Sequence, residues 1–205
     1  MSSTDLAAVT SLRITVNITM NCTDRAIEVG LQQLRASGIE WSAHPSEDEV
    51  QAEYDRLRRG LGERPIETLA ELVSTRDPDL LAVMQILREM LPAAVFIDKN
   101  LHDLAVLRMA NLSLEHGHCD SSPQAFTQLS MVVGPRFGHC DDGFRFGNLG
   151  MAADHGGVTP GGDPLGAGNG FLDLRRHFSL RVPIYRGSFA RDRGQTTQAI
   201  EKSLA

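Results

Sequence analysis

Two short stretches hold most of the side chains that could do chemistry. His116, His118, Cys119 and Asp120 sit in one, and His139, Cys140, Asp141 and Asp142 in another about twenty residues later. Imidazole, thiolate and carboxylate are the groups that hold zinc and other transition metals. Both stretches fall where helices should end, so they could meet across a helical hairpin. Against this, a His-x-His-Cys turn aims its ligands poorly at one ion, and the spacing follows no common zinc pattern. Either Cys119 or Cys140 could act as a nucleophile only beside a base. The neighbouring His118 and His139 are adjacent in the chain, and adjacent side chains on a turn rarely point together. The expectation is solvated turns with incidental thiols, with metal binding through His118, Cys119, His139 and Cys140 as the alternative. No catalytic residue and no cofactor are expected.

A second polar set lies inside an apolar helix. Residues 98–117 begin with an N-capping Asp98 and end at Gly117, a residue suited to a left-handed close. Between them Leu101, Leu104, Ala105, Val106, Leu107, Met109, Ala110, Leu112 and Leu114 cover most of the circumference. Such a helix must be enclosed by others. Arg108, Asn111 and Glu115 form one polar stripe along it, at i, i+3 and i+7. Buried charges need partners. The expected role is structural, with Asn111 bridging the two charges or each charge binding the open end of a neighbouring helix; a stripe lining a site is the alternative.

The elements that must position these residues are helical. Thr23 can cap a helix carrying Ile27, Leu31 and Leu34, closed by Gly38. Ser46 and Glu49 form a capping box ahead of Val50, Tyr54, Leu57 and Leu61. Pro65 can start a short helix with Ile66, Leu69 and Leu72. Asp77-Pro78 opens a helix expected to stop at Pro92, and Ser122-Pro123 opens another running to Gly134-Pro135. A last helix is expected between about Asp141 and Gly156, with Gly143, Gly147 and Gly150 giving it a face for close packing. By contrast, Leu12, Ile14, Val16 and Ile18 alternate with polar residues, a period of two that reads as a strand or a misread helix entrance.

Composition narrows the classes further. The chain has 205 residues and net charge −6, with 41% apolar but only 5% aromatic residues. Residues 1–170 hold 13 Lys/Arg against 23 Asp/Glu, while residues 171–205 hold 7 against 3. An acidic body argues against specific nucleic-acid binding. Three cysteines (Cys22, Cys119, Cys140) without a CxxC pair fit reduced thiols and a cytoplasmic location. No secretory signal and no membrane span are expected. Residues 155–170 carry seven glycines and two prolines, a flexible linker by composition. Gly166 to Gly170 lack the lysine of a phosphate loop, and kinase motifs such as His-Arg-Asp and Asp-Phe-Gly are absent from the sequence.

Three separated blocks resemble a known family. They are IEWSAHPSEDEVQAEYDRL (39–57), LREMLPAAVFIDKNLHDLAVLRMANLSLEHG (87–117) and VVGPRFGHCDDGFRFGNLG (132–150). They are similar, in order, to the helical region of bacterial multi-sensor signal transduction multi-kinases. Those proteins join a serine/threonine kinase-like domain, a STAND-type ATPase, this helical region, a GAF sensor and a histidine kinase. The resemblance covers about 23–153 and implies a middle piece without the catalytic domains. The chain departs from the family at His118-Cys119 and His139-Cys140, before residue 23 and after Met151.

The expected fold is all-α: antiparallel helical hairpins in a tetratricopeptide-like or α-solenoid-like array. Its expected divisions are an extension at 1–22, the helical domain at 23–154, the linker at 155–170 and a basic, disordered tail at 171–205. The expected function is a non-catalytic scaffold or signal relay whose partners are signalling-kinase modules or further copies of itself. A small metal-binding or enzymatic protein using the His/Cys turns, and a truncated gene remnant, are the alternatives.

Overall fold

The computed structural model describes residues 2–154, and in them the chain begins with a helix, α1 (Ser3–Thr19), opened by a capping box between Ser2 and Asp5. This corrects the strand expected at 12–18. A lone strand cannot pair its own backbone, whereas a helix can. In a helix, residues two apart point in different directions, so Ile14 is buried while Leu12 and Val16 are exposed. Nor is this segment an appendage, because Ala7 and Ile14 enter the same core as the later helices.

After a turn at Asn21 comes α2 (Thr23–Ala36), whose cap position is Cys22 rather than Thr23 and makes no side-chain cap bond. Ile27, Leu31 and Leu34 are buried as their spacing requires, and Gly38 follows at φ +82°. The expected capping box then starts α3 (Glu47–Leu61): Glu49 N–H donates to Ser46 Oγ, and Ser46 N–H donates to the Glu49 carboxylate. Pro65 leads into a 3₁₀ segment (Ile66–Glu71) that buries Ile66 and Leu69.

Asp77 caps α4 (Pro78–Ile97). That helix does not stop at Pro92. Proline removes one backbone donor, yet Leu91, Ala93 and Ala94 around it are buried, and their packing carries the helix on to Ile97. Asp98 both ends α4 and caps α5 (Lys99–His116), accepting from Asn100 N–H at 2.7 Å. Among the described residues α4 is also the one helix long and apolar enough to cross a bilayer, with mean hydropathy 1.8 in its best window, though much of its apolar surface lies in the core.

The last two helices are α6 (Ser122–Phe137) and α7 (Cys140–Asp154). Ser121 rather than Ser122 occupies the α6 cap position; Ser122 is buried and exchanges a hydrogen bond with Ser113 of α5 at 2.7 Å. Like Pro92, Pro135 lies inside its helix, and α6 ends at Gly138. The glycine face of α7 packs on α6 as its composition suggests. A Cβ at Gly150 would run into Thr127 and the Pro123 carbonyl, and one at Gly147 into Ser130.

The packing order places α5 at the centre. It is flanked by α3, α4 and α6, while α1 and α2 pack on α4 and on each other, and the 3₁₀ segment packs on α7. Leu101, Leu104, Ala105, Val106, Leu107, Met109 and Ala110 are accordingly almost fully buried. The residues expected as a linker (155–170) and tail (171–205) lie outside the described residues.

Candidate functional site

The polar stripe of α5 finds its partners on one neighbouring helix. Glu53 projects from α3 into the α3–α5 interface, where it is 6% exposed. Its carboxylate accepts from Asn111 Nδ2 at 2.7 Å and faces Arg108 Nη2 at 2.9 Å, while its backbone carbonyl accepts from Asn111 as well. One turn on, Arg56 grips Glu115 with both arms of its guanidinium, at 2.7 and 2.6 Å. Paired, planar geometry of this kind makes strong charge-assisted bonds. The hydrogen bond to Glu115 raises the Arg56 pKa, whereas burial pulls that of Arg108 down against the attraction of Glu53. The Arg108 guanidinium also lies over the Trp41 ring at 5.6 Å.

The stripe pairs across the α3–α5 interface by a route other than the two expected. Asn111 does not bridge Arg108 and Glu115, and neither charge binds a helix end. Glu53 and Arg56, three apart on α3, meet the stripe as a complementary pair. Both stand among the many charged residues of α3, so nothing in their own stretch of sequence marks them as partners of the stripe.

A second buried charge set went unseen in the sequence. Asp103 is 2% exposed. It pairs with Lys99 of its own helix at 2.5 Å and with Arg136 of α6 at 3.0 Å, while His102 Nδ1 lies 3.1 Å from its other oxygen. Burial pushes the Asp103 carboxyl up, but the hydrogen bonds from His102 and Lys99 outweigh it and hold the group below its ordinary range. His102 is therefore buried and bonded. Arg136 also donates to Asn100, whose amide donates to the Pro45 carbonyl. His44 bonds Asp98 at 3.0 Å, which places it at the entrance of α5. Lys99, Asn100 and Arg136 line an open groove of about 870 Å³ together with Glu47 and Asp48.

The His/Cys turns are not assembled into one site. The Leu69 carbonyl accepts from His118 Nε2, and the His118 ring meets the edge of Phe126. Its backbone is held too: His118 N–H donates to the Val73 carbonyl and Thr75 N–H to the His118 carbonyl. Gly117 makes this possible, with φ +96° and a Cα that a side chain would drive into Val73. Cys119 lies beside the Ser122 hydroxyl. His139 stands instead against Tyr54, whose ring stacks on Phe137 at 3.7 Å. Cys140 is exposed at the start of α7, and Asp142 pairs with Arg58 at 2.9 Å. Among the described residues no three His, Cys, Asp or Glu side chains come together as a metal would require.

Comparison of the chain with protein-family models, with curated proteins and with solved structures gives no match.

Proposed function

We propose that this chain is a non-catalytic helical scaffold that relays state between protein modules. In the multi-sensor kinases its sequence resembles, that place lies between the ATPase and the sensor and histidine-kinase modules. Its helices act as antiparallel hairpins in a tetratricopeptide-like array, working in the cytoplasm. The observation that carries the reading is the seam in which Glu53 and Arg56 of α3 meet Arg108, Asn111 and Glu115 of α5. Polar pairs of this kind specify one register between two helices where an apolar interface tolerates several. A relay needs such defined packing, because a partner can switch a packed interface between discrete arrangements but cannot shift one that slides freely. Three of the side chains with reactive groups hold one element to another: His118 on the 3₁₀ segment, Asp103 on Arg136, and Asp142 on Arg58.

Calorimetric titration of the full chain with separately purified ATPase and GAF–histidine-kinase segments from a multi-sensor kinase tests the reading. Saturable binding to at least one of them is the expected result. Heats indistinguishable from dilution with both would overturn it, as would steady ATP turnover by the purified chain alone.

A further inference from the structure

We propose that the open groove lined by the first turns of α3 and α5 and the end of α6 binds a free amino acid with a cationic side chain, of the arginine or lysine class. Arg136 is the anchor. Its side chain is only 15% exposed, and its Nη1 donates to Asn100 at 2.8 Å and to the buried Asp103 at 3.0 Å. Those two bonds fix the plane of the guanidinium. Among the described residues its Nε and Nη2 have no hydrogen-bond partner, yet neither is sealed from solvent. Side by side, Nε–H and Nη2–H form the fork that meets a carboxylate through two parallel bonds. Arg136 lines the groove, and a guanidinium held in advance with that edge open can take a carboxylate at little cost in freedom.

The remaining charges select what must accompany that carboxylate. Glu47 and Asp48 line the same groove; both are exposed, and neither side chain has an ion pair or hydrogen bond among the described residues. They are not spent on the cap of α3, which Ser46 and Glu49 complete. Counting Asp103, to which Lys99 and Arg136 are bonded, and with His44 neutral, four carboxylates (Glu47, Asp48, Asp98 and Asp103) stand against two cations. That surplus of negative charge repels a simple anion, so a lone carboxylate or a phosphate is the wrong ligand. A plain diamine leaves the Arg136 fork unmatched. A basic amino acid brings one carboxylate and two cationic groups, and so meets both signs. Ile97, Pro135 and Phe137 in the lining suit its methylene stem. The volume of about 870 Å³ lies within the range of small-molecule sites. Such a site needs no kinase module, and its failure would leave the scaffold reading untouched.

A chemical-shift titration of the full chain with L-arginine tests it, and saturable one-site binding is the expected result. Agmatine, which is arginine without its carboxylate, should bind at least about fivefold more weakly, as should citrulline, whose head has the same shape but no charge. Glu47→Gln combined with Asp48→Asn should weaken arginine binding by a similar factor with unchanged helical circular dichroism. Glu71→Gln, outside the groove, should bind like the unmodified chain. Because Arg136 also holds Asp103, agmatine reads the Arg136 contact without disturbing the fold. No saturable shift up to about 10 mM arginine overturns the proposal. So does agmatine or citrulline binding as tightly as arginine, or a double variant that keeps full affinity. Equal binding of Nα-acetylarginine amide, which has neither terminal charge, would overturn it in favour of a basic side chain on a partner protein.

Discussion

Asp103 and Ser11 show how differently two buried polar side chains can stand. Asp103 is met by Lys99, Arg136 and His102. Asp103→Asn leaves Arg136, itself mostly buried, facing a neutral amide, and removing one member of a buried charge set costs about 3 kcal/mol. Urea denaturation should show that loss in the midpoint without a change in slope. Ser11 has the opposite problem, a buried hydroxyl with nothing to bond. Ser11→Ala removes the unmet desolvation cost and should raise stability by up to about 1 kcal/mol in the same measurement. Neither environment was legible in the sequence. The bonds of Asp103 to its own helix are local, but the partner that fixes its burial lies 33 residues away on α6. The stripe of Arg108, Asn111 and Glu115 was visible as a question, and its answer on α3 was not, because Glu53 is 58 residues from Asn111.

At the level of the element, start signals were read more reliably than stops. The Ser46–Glu49 box and the Asp77-Pro78 and Asp98 caps are short-range devices, and all three open helices. Pro92 and Pro135 read as stops in the sequence, but each costs one hydrogen bond, and burial of the surrounding side chains on α4 and α6 exceeds that. The same bias explains α1, where β-branched residues in alternation suggested a strand while contact with α2 and α4 favours a helix. The α6–α7 pair gives the clearest element-scale prediction. Since a side chain at Gly150 would meet backbone of α6, Gly150→Ala should lower stability by about 1–3 kcal/mol through overpacking, even though alanine is the better helix former. A thermal melt monitored at the helical band would register it, and an unchanged or raised midpoint would mean that α6 and α7 do not approach so closely.

Across the whole molecule, the carboxylates set the response to acid. Asp98 is held below its ordinary range by its bond to His44, and Asp103 lies below it as well; Glu67 is lowered to about 2 by the Arg145 guanidinium. A group with a depressed native pKa stabilises the fold above its unfolded pKa and loses that contribution as pH falls through the native value. Stability should therefore be level near neutrality and decline from about pH 4.5 toward pH 2. The decline should be shallower in Asp103→Asn, which has one fewer proton to take up. Equal acid slopes for the two proteins would show that Asp103 does not titrate with unfolding.

Asp98 has a mechanical corollary. One residue is both the C-cap of α4 and the N-cap of α5, so the two helices share a joint with no slack. A single residue inserted there as part of α5 would turn the rest of that helix by about 100°, carrying Arg108 and Asn111 away from Glu53. A comparable insertion at Gly38, beyond the end of α2 and in open space, has room to bulge outward. Limited proteolysis of the two insertion variants should find the first cut quickly within the described helices and the second nearly as resistant as the parent.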